Sequence, residues 1–521
     1  MRNVKLPHTL LLALTFMTAA ATTAFAVDHS EFFDKPFKGG PEVTAKCLEC
    51  HGDAATEVMK SSHWTWSAPQ EIDGKQVNRG KANAINNFCV SVNANWPRCT
   101  SCHIGYGWKD DKFDLTSEQN VDCLVCHETT GTYKKFPAGA GHPVYEEKEF
   151  PPGSGKKWVP PDLVKVAQSV GKTSRKNCGV CHFFGGGGDA VKHGDQDSTL
   201  FNPDRDLDVH MDAKGLNFDC VRCHTTKSHA IAGRCYKHPA DTTGKTLIQD
   251  DQIARISCIS CHTETPHKTN AKLNDHTDKV ACQSCHIPAF ARKQATKMYW
   301  DWSTAGKKKD GKPYAEKGPY DKPVYDTKKG NFVWEMNVKP EYHWFNGSLD
   351  YILVTDKIDP SKPVQINKPM GSRDDPKARI YPFKNHRGKT PYDKVNKTML
   401  VPHLFPYNKD DTTAYWKGYD WNKAGAEGMK AMGLPFGGEV GFVDTEYFYQ
   451  TTHMVAPKEK AVACGECHSR QGRLANLAGF YMPGRDRSGI LDIIGWVLVL
   501  GAMVGVTAHG VMRKIAANKR G

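Results

Sequence analysis

Eight times the chain repeats Cys-x-x-Cys-His, at residues 47–51, 99–103, 123–127, 178–182, 220–224, 258–262, 282–286 and 464–468. Two thiols three residues apart with a histidine directly behind them make the attachment signature of c-type haem. Cys47, Cys50, Cys99, Cys102, Cys123, Cys126, Cys178, Cys181, Cys220, Cys223, Cys258, Cys261, Cys282, Cys285, Cys464 and Cys467 would form thioether bonds to porphyrin vinyl groups. His51, His103, His127, His182, His224, His262, His286 and His468 would each ligate an iron. Zinc is the competing chemistry, because paired cysteines with a nearby histidine also build tetrahedral sites. Zinc does not demand a histidine immediately after the second cysteine, yet every copy has one. The expected cofactors are therefore eight covalently attached haem c groups.

An electron-transfer haem normally takes a second axial ligand, often histidine, whereas a catalytic haem needs a weak or open position. Seven histidines outside the motifs lie in irregular segments suited to that role: His63, His193, His210, His229, His267, His276 and His453. His343, His386 and His403, set among aromatic or basic residues, are second choices. Seven partners for eight irons leave one haem short, and that haem is where chemistry would occur.

Cofactors on this scale change how the composition reads. A hydrophobic fraction of 39%, with 46 Gly and 30 Pro, suits a core built around flat apolar porphyrins. The formal charge of +13 comes from 70 Lys and Arg against 57 Asp and Glu, and haem propionates can neutralise that excess inside the molecule. No nucleic-acid partner is expected.

The elements that position these groups divide the chain into several stretches. Residues 1–26 read as a signal peptide, with a basic start, an apolar run and a small-x-small cleavage site before Val27. Seven motifs crowd into residues 27–300. Residues 301–455 form a motif-free, aromatic-rich lobe, and residues 456–485 carry the eighth motif, with the best soluble helix candidate over 458–477. The many Pro, Gly, Asp and Lys residues of the lobe predict irregular segments and little regular sheet. Residues 489–512 read as a transmembrane helix, followed by a basic tail over 513–521. Positive charge after the helix places that tail in the cytoplasm and the bulk of the chain in the periplasm, anchored to the inner membrane. The expected fold class is mainly α with extensive coil, a multihaem cytochrome built around its haem array, plus one C-terminal transmembrane helix.

The motif order, the gap before the eighth copy and several local stretches carry a resemblance. These include Ile85-Asn86-Asn87-Phe88-Cys89, Val121-Asp122-Cys123-Leu124-Val125-Cys126-His127, Gly185-Gly186-Gly187-Gly188-Asp189 through His193-Gly194-Asp195, and His276 through Cys282-Gln283-Ser284-Cys285-His286-Ile287-Pro288. The chain resembles the octahaem tetrathionate reductases, multihaem cytochromes distantly similar to hydroxylamine oxidoreductase and ammonia-forming nitrite reductase. The resemblance implies a catalytic haem, second in sequence, with a lysine among its iron ligands. By position Lys176 is the leading candidate, with Lys134, Lys135, Lys156 and Lys157 as alternatives. It also implies a thiol near the active haem, for which Cys89 fits, while a disulfide between Cys89 and Cys235 is the structural alternative. Asn86 would donate a hydrogen bond to a bound oxyanion, or would simply form a turn.

These readings converge on a periplasmic reductase of tetrathionate, nitrite or hydroxylamine, fed by bis-histidine haems from a membrane quinol-linked donor such as a cytochrome b. The alternatives are a non-catalytic electron conduit and an oxidase of the hydroxylamine oxidoreductase type.

Overall fold

Alternation of buried and exposed side chains builds the largest element, a nine-stranded sheet in the region without haem motifs. The computed structural model describes residues 28–520 except 73, 87, 89–90, 232 and 234–256. The expected signal peptide over 1–26, Cys89 and Cys235 lie outside the described residues. The strands are β1 Thr296–Asp301, β2 Ala315–Lys317, β3 Pro323–Asp326, β4 Gly330–Glu335, β5 Glu341–Phe345, β6 Val364–Gln365, β7 Arg379–Asp393, β8 Thr398–Met399 and β9 Val440–Gln450. Their order is β6-β9-β7-β1-β4-β3-β2, and β5 and β8 also pair with β7. The β7–β9 ladder is the spine, antiparallel from Phe383 opposite Gln450 to Asp393 opposite Val440. The β7–β1 and β6–β9 pairs are parallel.

This sheet corrects the expectation of a mainly α chain. In β4 burial alternates strictly from Gly330 to Glu335, turning Phe332 and Trp334 inward, which is the period of a half-buried strand. The glycines and charges of the region punctuate turns between strands instead of replacing them. Gly330, for example, opens β4 at φ +85°, and a Cβ there would strike the Asp301 carbonyl at 2.0 Å.

One apolar cluster joins the sheet to the motif-rich half. Trp300, Trp302, Phe332, Phe383, Tyr447 and Phe448 pack with Ile85, Phe88, Ala94 and Val191. Each large apolar side chain contributes about 1.5–3 kcal/mol on burial, so the sheet is firmly packed against Ile85, Phe88, Ala94 and Val191.

Regular helices are few and short apart from α1 Gly40–Leu48, α2 Arg175–His182, α3 Trp421–Ala431 and α4 Gly489–Asn518. The helix expected over 458–477 reduces to a turn at Lys458–Lys460 and a single turn at Cys464–Cys467. After His468 the chain folds back, so that the Arg473 backbone N–H donates to the Glu466 carbonyl and its guanidinium grips the Glu466 carboxylate and the Pro288 carbonyl. Helix α4 is capped by the Ser488 hydroxyl, which accepts from the Leu491 N–H. It buries none of its residues, runs about 45 Å and is long and apolar enough to cross a membrane.

Candidate functional site: paired imidazoles and an exception at His103

Most Cys-x-x-Cys-His motifs close a helical turn, as in Leu124–His127, Ile259–His262, Cys282–His286 and α2. Residues three apart on such a turn share a face, so both thiols of a motif meet the same edge of a bound ring.

Seven of the eight motif histidines then face a second imidazole. The ring centroids stand 6.4 Å apart for His51 and His29, 6.4 Å for His127 and His229 and 6.0 Å for His182 and His63. For His224 and His453 the distance is 6.3 Å, and for His262 and His210 it is 5.9 Å. His286 with His267, and His468 with His276, stand at 6.2 Å. Two bonds of about 2 Å from an iron to facing ring nitrogens hold the centroids roughly 6 Å apart. The residues present therefore fit haem iron between each pair. Among the described residues, no three His, Cys, Asp or Glu side chains converge as a bare metal ion would require.

The outer nitrogens are arranged to match. His127 Nδ1 donates to the Gly171 carbonyl at 3.0 Å, and His468 Nδ1 to the Pro483 carbonyl at 3.2 Å. His229 Nδ1 donates to Glu57 at 2.8 Å, His453 Nδ1 to Asp195 at 3.2 Å and His267 Nδ1 to Asn274 Oδ1 at 3.0 Å. Occupying Nδ1 fixes the tautomer and leaves Nε2 bare for a metal.

Six of the seven histidines expected to complete these pairs stand opposite a motif histidine. His193 does not: it is buried edge-on against Tyr449 at 5.1 Å, and the hydroxyl of Thr296 on β1 donates to its carbonyl. The pairing place goes instead to His29, a residue the sequence analysis does not single out. His403 is held by the Asp411 carboxylate and the Ala94 carbonyl, and His386 is buried on β7 against Phe88.

Neighbouring thiols order the motifs in space. Cys47 lies beside Cys123, Cys126 near Cys178, and Cys178 beside Cys220. Cys102 lies beside Cys181, Cys258 beside Cys282 and Cys285 near Cys467. The first, third, fourth and fifth motifs thus form one run, and the sixth, seventh and eighth another. Asp208 ties the runs together by accepting from the N–H groups of His210 and Val455. The second motif branches from the fourth.

That second motif is the exception. Cys99 ends one helical turn, a tighter turn covers Thr100–Cys102, and His103 follows in extended conformation. Its ring is fully buried in a cage of Trp64 at 5.0 Å, Trp66 at 5.3 Å, Trp108 at 4.7 Å and Phe113 at 5.5 Å. Burial pushes its pKa down to about 3, so the ring is neutral. His103 Nε2 donates to the Trp64 carbonyl at 2.8 Å. A protonated nitrogen has no lone pair for a metal, and among the described residues none of the ring contacts of His103 is with another imidazole.

The lysines expected near this motif separate clearly. Lys134, Lys156 and Lys157 are exposed, and Lys157 pairs with Glu147. Lys135 is buried and bound to Asp122 at 2.9 Å and to the His103 carbonyl at 2.6 Å. Lys176 is exposed on α2, the helix whose Cys181 lies beside Cys102. Its amine has no hydrogen-bond or ion-pair partner among the described residues. Lys81, not foreseen, sits 3.8 Å over the Trp66 ring and with Lys135 makes the surroundings of Cys102 positive. The Asn86 side-chain oxygen accepts from the Phe88 N–H at 2.9 Å.

A family described as bacterial cytochrome c matches residues 297–471. An octahaem cytochrome c from Shewanella oneidensis superposes with a TM-score of 0.75 at 45% identity, over 86% of this chain and 95% of the other. This chain belongs to the octahaem cytochrome c family. An uncharacterized protein of Archaeoglobus fulgidus is also similar, 26% identical over 248 residues that span 41% of this chain and 82% of that one. Membership carries covalently attached haem c and a redox role. The paired imidazoles are the local geometry that such a role uses.

Proposed function

We propose that this octahaem cytochrome is a reductase with eight haems, seven held between two imidazoles and the one on Cys99 and Cys102 held differently. The observation that carries the reading is His103, whose Nε2 is spent on the Trp64 carbonyl and which faces no second histidine among the described residues. When bound there, haem would supply an iron able to deliver electrons to a small anion. The amine of Lys176, on the neighbouring α2 and without another partner, is the protein group we assign to that iron. Lys81 makes the neighbourhood positive, which draws anions in and stabilises charge as it develops. The substrate class is tetrathionate, reduced by two electrons to two thiosulfates, or nitrite and hydroxylamine, reduced to ammonia. Helix α4 would anchor the chain in the inner membrane beside a quinol-linked donor, with the haem array in the periplasm.

The test is anaerobic turnover with reduced viologen, comparing tetrathionate, nitrite and hydroxylamine. Turnover of at least one, together with loss of a single haem's signature and of activity in Lys176→Ala at unchanged total haem, supports the reading. A wholly low-spin oxidised spectrum without turnover rejects it. The runs of adjacent paired imidazoles would then favour the second reading, an electron conduit between the quinol pool and another periplasmic protein.

A further inference from the structure

His103 follows Cys102 at the spacing that serves iron in the other motifs, yet its Nε2 is bound to the Trp64 carbonyl. A buried ion pair lies directly behind it. Lys135 Nζ donates to Asp122 Oδ2 at 2.9 Å, to the His103 carbonyl at 2.6 Å and to the Gly105 carbonyl at 3.4 Å, which accounts for all three ammonium protons. Both side chains are shut off from water, at 7% and 0% exposure. Asp122 is saturated in turn: Oδ1 accepts from the Tyr106 hydroxyl at 2.7 Å and the Val125 N–H at 3.0 Å, and Oδ2 also accepts from the Tyr133 hydroxyl at 2.8 Å.

The strap continues along the backbone. The Asp122 N–H donates to the Ile104 carbonyl, and the Tyr106 N–H donates to the Asn120 carbonyl. Every carbonyl from His103 to Gly105 is therefore bound to the 120–135 segment. On the ring side, Gly105 leaves no spare room, because a Cβ there would fall 2.6 Å from Trp64 and 2.9 Å from the His103 ring. Swinging the imidazole out of its cage requires rotating a backbone whose carbonyls are all tied.

We infer that the Lys135–Asp122 pair is a positioning device that holds the His103 backbone so that its imidazole stays in the tryptophan cage and off the iron. Lys135 then acts through His103 and does not itself touch the reacting atoms. The inference rests on the proposed non-histidine ligation of the second haem, and the two can fail separately.

The experiment uses the full-length holoprotein and reads the reduced high-spin haem by resonance Raman spectroscopy, with total haem measured alongside. Lys135→Met is expected to create an iron–imidazole stretching band absent from the unmodified protein. The double variant Lys135→Met/His103→Ala is expected to lose that band, and Lys135→Arg, which keeps the cation and its donors, to retain the unmodified spectrum. Should Lys135→Met assemble poorly, Asp122→Asn removes the charge partner while keeping the side-chain shape, and the same band is expected at lower intensity. An unchanged spectrum in whichever of Lys135→Met and Asp122→Asn retains full haem content overturns the inference and leaves the proposed ligation standing. Loss of the unmodified signature in both Lys135→Met and Lys135→Arg also overturns it, by making Lys135 itself the ligand. A changed spectrum in His103→Ala alone overturns the ligation reading instead.

Discussion

Asp195 Oδ2 accepts from His453 Nδ1 at 3.2 Å and from the backbone N–H groups of Thr452 and His453 at 2.8 and 3.0 Å. The carboxylate is 3% exposed, so water screens it little, and it faces the outer nitrogen of the imidazole paired with His224. Negative charge at that position makes the ring a stronger donor to ferric iron and lowers the potential of its haem. Asp195→Asn is expected to raise the midpoint potential of one haem by about 60 mV, the one-electron equivalent of tenfold in the equilibrium. Spectroelectrochemical titration of the purified protein measures it; eight unshifted potentials would refute the assignment.

The pairing of His29 with His51 makes a second prediction. His29→Gly is expected to convert one low-spin haem to high spin without lowering total haem, because attachment depends on Cys47 and Cys50. Electron paramagnetic resonance and a pyridine haemochrome assay measure the two quantities independently.

Lys384 on β7 offers a pH test of the sheet. Wholly buried, it donates to the Val191 and Lys192 carbonyls, each at 3.1 Å, and to the Thr296 hydroxyl at 2.6 Å. Burial pushes its pKa down to about 7 from an ordinary 10.5. Between those values the unfolded chain binds the extra proton, so stability gains from this group as pH rises and the gain is lost as pH falls toward 7. Chemical unfolding at pH 7 and pH 10 should show this slope in the unmodified chain and a flatter one in Lys384→Met. The variant also removes the donor to the Val191 and Lys192 carbonyls, at a cost of about 1–3 kcal/mol.

Truncation before Gly489 tests the anchor. The shortened chain is expected in the soluble fraction with full haem content and undiminished viologen-driven activity, while quinol-driven activity falls at least tenfold. Membrane fractionation and the two assays distinguish anchoring from catalysis.

The haem motifs were legible in the sequence because their chemistry requires fixed spacing, and no packing detail can hide a Cys-x-x-Cys-His. Distal partners were harder, since they obey geometry in space and not along the chain. His453 stands opposite His224 across the fold, and His29 opposite His51 with no local signal at all. His193 looked equally suitable, but the segment bearing it is fastened to β1 through Thr296 and the ring turns to Tyr449. The sheet was missed for another reason. Counting breakers in the 301–455 stretch obscured the two-residue alternation of Asn331-Phe332-Val333-Trp334-Glu335, which announces a strand. The neglected Lys135–Asp122 contact joins residues from two different loops, a relationship no linear pattern encodes.

Helix α2 is only eight residues long, yet its Cys178 meets Cys220 and its Cys181 meets Cys102. In circuit terms it is a three-way junction, touching the third, fifth and second motifs. Unfolding this one short segment would part the third motif from the fifth and the second from both, so the adjacency of four motifs hangs on eight residues.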